Sequence, residues 1–85
     1  MADAKDRAQE RMTAVAPLPG ECYQHYKGGA YEIVVCALQE DTLEPLVIYR
    51  SLAHGSLWAR TLTNWNETVR VNGTSVKRFK KYYKK

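Results

Sequence analysis

Residues 23–31, "YQHYKGGAY", group the side chains of this sequence that are best suited to binding chemistry. Aromatic rings stack on flat ligands, while the imidazole of His25 and the ammonium of Lys27 can bind a carboxylate or a phosphate. A small β-protein also needs tyrosines of this kind in its core, and the Gly-Gly pair then serves only to allow a tight turn. Both interpretations stay open at this point, and packing is the commoner use of such residues.

Two arginines lie in the middle of apolar segments, Arg50 in "VIYRSL" and Arg60 in "LWARTL". The short connection between these segments predicts antiparallel strands, in which the two guanidinium groups would lie close together across the ladder. Such a pair repels unless an anion joins it. The anion is either an external carboxylate or phosphate, or a carboxylate of the protein from Glu32, Glu44 or Glu67. Structural ion pairs are the commoner case.

Two tryptophans flank Arg60 in the sequence. Trp58 lies in an apolar segment and is predicted to be buried or half-buried. Trp65 lies in the polar stretch "NWNE" and is the best candidate for an exposed aromatic ring, one that stacks on a base or packs on a proline-rich peptide. Half-burial over the end of the domain is the alternative for Trp65.

The C-terminal segment carries the positive charge of the chain. The net charge is +4, and residues 75–85 contain six lysine and arginine residues and no acid. Cations that alternate with aromatic residues suit nucleic acid, because the cations neutralise phosphates and the rings stack on bases. A solvated terminus that aids solubility is the alternative. The candidate nucleic-acid contacts are Lys77, Arg78, Lys80, Lys81, Tyr82, Tyr83, Lys84 and Lys85.

Patterns typical of catalysis or cofactor binding are missing from the sequence. Of the two histidines, His54 lies in a predicted turn, and there is no carboxylate pair, nucleophile elbow, phosphate loop or metal-ligand spacing. Cys22 and Cys36 are predicted to be reduced thiols, with Cys36 part of the core. We therefore expect no enzymatic activity, no cofactor and no metal site, and keep an enzyme of unidentified type as a third alternative.

Short β-strands must position these side chains. Asn72-Gly73 predicts a type I′ hairpin turn, and in the longest apolar segment Ile33 and Val35 alternate with Val34 and Cys36. Strands that are apolar on both faces, in a chain too short for two large sheets, predict a small closed barrel of five strands. The predicted strands lie at 31–38, 46–53, 57–62 and 68–71. They are rich in β-branched and aromatic residues, and turn-forming clusters separate them.

The two ends of the chain differ in character from this middle part. Residues 1–16 have the composition of a short helix that "PLPG" at 17–20 ends, so a partly helical or flexible arm is expected. No segment approaches the roughly 18 apolar residues of a membrane span. The N-terminus also lacks the apolar run of a secretory signal, which favours a cytoplasmic protein without membrane contact. The expected organisation is an arm at 1–20, a barrel domain at 21–79 and a basic tail at 80–85.

The motifs and their order resemble those of a small bacterial family of domains of unknown function. That pattern opens with Tyr-x-His-Tyr-Lys-Gly, continues with Leu-Glu-x-Leu-Val-x-Tyr-Arg and Leu-Trp-x-Arg, and closes with Gly…Arg-Phe; the match covers about residues 22–79. The resemblance implies an SH3-like β-barrel and implies no reaction. Thr61 stands where the family usually has proline and Trp65 where it has phenylalanine, and neither departure affects the implied fold.

We therefore predict an all-β, SH3-like barrel that acts as a binding module for a partly anionic ligand, either a carboxylate-bearing peptide or a small nucleotide-like molecule. The alternative function is non-specific nucleic-acid binding through the basic, aromatic tail. The candidate ligand-binding residues are Tyr23, His25, Tyr26, Lys27, Arg50, Trp58, Arg60 and Trp65.

Overall fold

The structure, a computed structural model, describes residues 3–83 as a mostly β protein with a helix near its N-terminus. Two helices form, α1 at Ala4–Val15 and α2 at Leu62–Trp65. The strands are β1 at Cys22–His25, β2 at Ala30–Leu38, β3 at Pro45–Ser51, β4 at Leu57–Thr61, β5 at Thr68–Val71, β6 at Thr74–Lys77 and β7 at Phe79–Tyr82.

Five of these strands form one antiparallel sheet in the order β4-β3-β2-β1-β7, and β5 pairs with β6 as a separate hairpin. Among the described residues β4 and β7 are the two edges of the sheet and do not pair with each other. The closed five-stranded barrel expected from the sequence is therefore not confirmed. The Asn72-Gly73 hairpin is confirmed, with φ of 51° and 80° at its two central residues, as a type I′ turn requires.

A helix and a bulge explain the two-sided apolar pattern that suggested closure. Met12 of α1 is only 3% exposed and belongs to the core, so the arm is docked against the sheet. The pairing of β2 with β3 shifts between Ile33 and Val35, which places Ile33 opposite Tyr49 and Cys36 opposite Val47. Ile33 and Cys36 thus share one face, contrary to simple alternation, and Val35 is left 45% exposed.

We call the face of the sheet that carries Val47 and Tyr49 the inner face, because the core lies on it. Asp3 caps α1 by accepting a hydrogen bond from the backbone N–H of Asp6 (2.9 Å), and Thr61 caps α2 in the same way. The buried core consists of Met12, Ile33, Val47, Tyr49, Leu62, Trp65 and Phe79.

Part of the predicted basic tail is a strand of the sheet. Residues 79–82 form β7, in which Lys80 pairs with Gln24 and Lys81 with Tyr23 of β1. Lys84 and Lys85 lie outside the described residues. Within residues 3–83, no helix is both long and apolar enough to cross a membrane.

Candidate functional site

Phe79 lies on the inner face near the β1–β7 edge of the sheet, and its ring contacts an indole, an imidazole and a guanidinium group. The ring of Trp65 stacks on Phe79 with centroids 3.7 Å apart and planes only 9° from parallel. His25, the cross-strand partner of Phe79, meets it edge to face at 4.9 Å. The guanidinium carbon of Arg60 lies 5.3 Å from the Phe79 centroid. Two polar side chains, His25 and Arg60, are thus held against the same ring.

Arg60 is held by neutral groups. Its Nε donates a hydrogen bond to the Tyr49 hydroxyl at 3.0 Å, and its Nη1 donates to the Asn64 amide oxygen at 2.5 Å. The position of Asn64 is fixed by the start of α2, where the backbone N–H of Asn64 donates a hydrogen bond to the hydroxyl of the capping residue Thr61. Among residues 3–83, Arg60 forms no ion pair with a carboxylate, so its half-buried positive charge is not neutralised.

His25 lies in a positive environment. Burial lowers the pKa of its imidazole, and the charges of Arg60, Arg78 and Lys27 lower this pKa further. The backbone N–H of Lys27 donates to its Nδ1 at 3.1 Å. An Nδ1 that accepts a hydrogen bond carries no proton, so the neutral imidazole has its proton on Nε2. The ring therefore presents one N–H donor.

The turn after β1 places Tyr26 and Lys27 beside His25. The carbonyl of His25 accepts a hydrogen bond from the N–H of Gly28, whose φ of +116° closes the turn. The Tyr26 ring lies 4.6 Å from the imidazole and is 37% exposed. Its backbone N–H donates to the carbonyl of Arg78 at 2.9 Å, which joins the turn to the bend between β6 and β7.

These contacts bring together four of the predicted ligand-binding residues, and a fifth lies on the same face. Trp58 is opposite Tyr49 in the β3–β4 register and two residues from Arg60, so it shares the inner face. We call this group the inner-face site; it consists of His25, Tyr26, Lys27, Trp58 and Arg60.

The predicted proximity of Arg50 and Arg60 is wrong. In the β3–β4 register Arg60 is opposite Val47 and Arg50 is opposite Leu57, which puts the two arginines on opposite faces of the sheet. Arg50 pairs with Glu32 at 3.5 Å, one of the carboxylates expected as a structural partner. The site therefore contains one arginine, and the other makes an ion pair on the outer face.

The predicted exposures of the two tryptophans are reversed. Trp65 is 3% exposed and lies in the core, whereas Trp58 is 56% exposed and donates from its indole N–H to the Ser56 hydroxyl at 2.9 Å. Sequence reasoning overlooked α2, in which Leu62 and Trp65 are three residues apart and share the buried side. The Thr61 cap followed by this spacing was the available signal.

Tyr23 belongs to a different part of the inner face. Its ring meets Trp65 edge to face at 5.3 Å, and its hydroxyl donates to a Glu21 carboxylate oxygen at 3.3 Å. Burial raises the pKa of this hydroxyl, and the Glu21 charge adds to the effect. Tyr23 lines a recess of about 430 Å³ near the end of α1, away from the Gly-Gly turn.

A larger groove adjoins the inner-face site. It has a volume of about 610 Å³ and lies where the turn after β1 approaches β6 and β7. The residues that line it include no acid; they are Gln24, His25, Tyr26, Gly28, Val76, Lys77 and Lys80.

Within residues 3–83, no three His, Cys, Asp or Glu side chains are grouped so as to hold a metal ion. Cys22 and Cys36 are free thiols, and burial raises the pKa of Cys36. A raised pKa keeps this thiol protonated, and the thiolate is the form that acts as a nucleophile.

Comparisons with known proteins support the resemblance seen in the sequence. Residues 21–81 match a family model described as "Protein of unknown function (DUF1653)". A crystal structure of a DUF1653 protein from Bordetella bronchiseptica is similar, with a TM-score of 0.67, 34% sequence identity, and coverage of 80% of this chain and 88% of that one. A search of curated proteins found no match.

Proposed function

Given that the chain belongs to the DUF1653 family, we propose that it is a small cytoplasmic binding module, built on an SH3-like sheet, that takes a partly anionic ligand at the inner-face site. The observation that carries the proposal is the state of Arg60. Within residues 3–83 this half-buried guanidinium is hydrogen-bonded by a hydroxyl and an amide and paired with no carboxylate, and an anion is the partner that satisfies it best.

The neighbours of Arg60 add to this preference. Lys27 acts on His25 with the same sign of charge as Arg60, so an anion that arrives there is attracted by both cations, whereas Arg78 is already paired with Glu67. Neutral His25 contributes an N–H donor. The exposed rings of Tyr26, which contacts His25, and of Trp58, which shares a face with Arg60, supply flat apolar surface, which favours a ligand that is only partly anionic.

Arg50 and Arg60 provide a matched pair for the test. Arg60→Gln removes the charge of the site, and Arg50→Gln removes the same charge from the outer face. The probes are an acetylated Glu-Glu-Tyr peptide and inorganic pyrophosphate, titrated into ¹⁵N-labelled protein and followed by NMR and calorimetry. Circular dichroism establishes that each variant is folded.

We expect the backbone signals of residues 25–27 and the Nε–H signal of Arg60 to shift on addition of at least one probe. Since a hydrogen bond to a charged group contributes about 1.5–3 kcal/mol, Arg60→Gln should weaken binding by roughly 10-fold or more, and Arg50→Gln by less than about twofold. Equal losses in the two variants would reject the site, as would shifts that bypass residues 25–27 and Arg60 for both probes.

A further inference from the structure

We propose a second binding surface: the groove between the turn after β1 and strands β6 and β7 binds single-stranded nucleic acid without sequence preference. Nucleobases stack on Tyr26, and Lys77 and Lys80 neutralise backbone phosphates. This surface shares His25 and Tyr26 with the inner-face site but does not use Arg60, and it does not depend on the function proposed above. It also differs from the alternative suggested by the sequence, in which the end of the tail makes the contacts.

The structure divides the C-terminal cations into two kinds. Lys81 pairs with Glu21 at 2.5 Å, and Arg78 pairs with Glu67 at 3.6 Å. Lys77 and Lys80 form no ion pair with any described residue. Both of these unpaired lysines line the groove of about 610 Å³. The charge available for phosphate is therefore concentrated in the groove rather than spread evenly along residues 77–83.

The strand geometry explains this division. Cross-strand pairing places Lys80 beside Gln24 on one face of β7 and Lys81 beside Tyr23 on the other, where Glu21 lies. Lys77 ends β6, just before the bend at Arg78 that leads into β7. The two lysines of the groove thus come from the two sides of this bend. A nucleic-acid strand that runs past the bend would meet one lysine on each side, each able to bind a phosphate.

The aromatic surface of the groove is held in place. The backbone N–H of Tyr26 donates to the Arg78 carbonyl and its ring packs against the His25 ring, while more than a third of the residue stays exposed. The ammonium of Lys27 lies 5.7 Å from the Tyr26 centroid. A base that stacks on Tyr26 displaces the Lys27 ammonium, which then binds a neighbouring phosphate.

The chemistry of the lining favours a single strand over other anionic polymers. Lysines are point charges that accept phosphate from many directions, and a tyrosine ring accepts any base, so the lining has the properties of a sequence-tolerant site. An acidic peptide that contains no aromatic residue would use the lysines but would leave the Tyr26 ring without a partner of matching shape. The volume lies within the range of about 300–1,000 Å³ that ligand sites occupy.

The test measures fluorescence anisotropy of a labelled twelve-residue oligothymidylate with the full chain at several salt concentrations. The groove variant is Lys77→Gln with Lys80→Gln. A control of equal net charge is Lys5→Gln with Lys81→Gln, because Lys5 is exposed on α1 and Lys81 is already paired with Glu21. Tyr26→Leu removes the stacking ring and keeps an apolar side chain.

We expect the groove variant to lower the slope of log affinity against log salt by about 1.4, since each phosphate contact to a single strand contributes about 0.7. The control should keep the slope of the unmodified protein. Tyr26→Leu should weaken binding roughly 5-fold to 150-fold, the range that corresponds to the loss of one base–aromatic stack.

Three results would overturn the proposal. The first is the absence of binding at about 50 mM salt, where phosphate contacts are strong. The second is an equal loss in the groove variant and its control, which would mean that only net charge matters. The third is an unchanged affinity in Tyr26→Leu together with full competition by polyglutamate, which would indicate a surface for acidic proteins. None of these results bears on the Arg50 and Arg60 comparison.

Discussion

One end of the inner face is covered and the other is open, although the same strands build both. At the covered end α1 and α2 place Met12, Leu62 and Trp65 over the sheet, and all three are less than 10% exposed. At the open end His25 is half-buried and Trp58 is 56% exposed, although both lie on the same face as the core. The two short helices therefore decide which part of the face is core and which part can meet a ligand.

The largest effect on stability is expected when each of the two tryptophans is replaced by alanine in a separate variant. Trp65→Ala removes the ring stacked on Phe79 and should lower the free energy of unfolding by about 3–5 kcal/mol, the usual cost of deleting a buried aromatic side chain. Trp58→Ala removes a mostly exposed ring and should change it by less than about 1 kcal/mol. Urea denaturation measures both.

Total stability for a domain of this kind is about 5–15 kcal/mol, so Trp65→Ala should leave a protein close to unfolding. If the two variants lose similar stability, the division into a covered and an open end does not hold. Loss of ligand binding in folded Trp58→Ala would add Trp58 to the contacts of the inner-face site.

The sequence predicts the strands of this fold better than their arrangement. Four predicted strands and the Asn72-Gly73 turn are present because local residue preferences determine them. Closure of the sheet was inferred from apolar residues on both faces of β2, and two long-range features produce that pattern instead. One is Met12, which brings α1 onto the sheet, and the other is the bulge after Ile33.

The candidate site was predictable in part for the same reason. His25, Tyr26 and Lys27 are neighbours in sequence, so the turn that groups them is local. The separation of Arg50 from Arg60 depends on the β3–β4 register, which the residues of the connection do not fix by themselves. The roles of Tyr49 and Asn64 as partners of Arg60 are tertiary contacts that composition does not reveal.

A smaller effect on stability is expected from a substitution at Gly29, where the turn after β1 meets the aromatic cluster. A Cβ added at Gly29 would lie 2.7 Å from the Tyr31 hydroxyl and 2.9 Å from its ring, too close for either to stay in place. The Tyr31 ring has little room to move because it contacts Tyr49 and Phe79 edge to face at 5.2 and 6.0 Å. Gly29→Ala should therefore lower the free energy of unfolding by about 1–3 kcal/mol.

A double-mutant cycle identifies the cause of this loss. In a Tyr31→Leu background the added methyl group has a smaller neighbour, so Gly29→Ala should cost clearly less there than in the unmodified protein. An equal cost in both backgrounds would show that the contact with Tyr31 is not responsible.

The smallest expected effect is the pH dependence that His25 gives to the open end. Its folded-state pKa lies below the ordinary value of 6.5 because of burial and the charges of Arg60, Arg78 and Lys27. As pH falls below about 6.5, the unfolded chain binds a proton at this histidine before the folded protein does, so stability is lost until the folded pKa is reached.

His25→Gln should remove this part of the pH dependence in urea denaturation between pH 7.5 and 5, whereas His54→Gln, in an exposed turn, should retain it. Pyrophosphate bound at Arg60 would offset the cationic neighbours and reduce the same loss in the unmodified protein. Identical pH profiles for His25→Gln and the unmodified protein would contradict the positive environment on which the inner-face site depends.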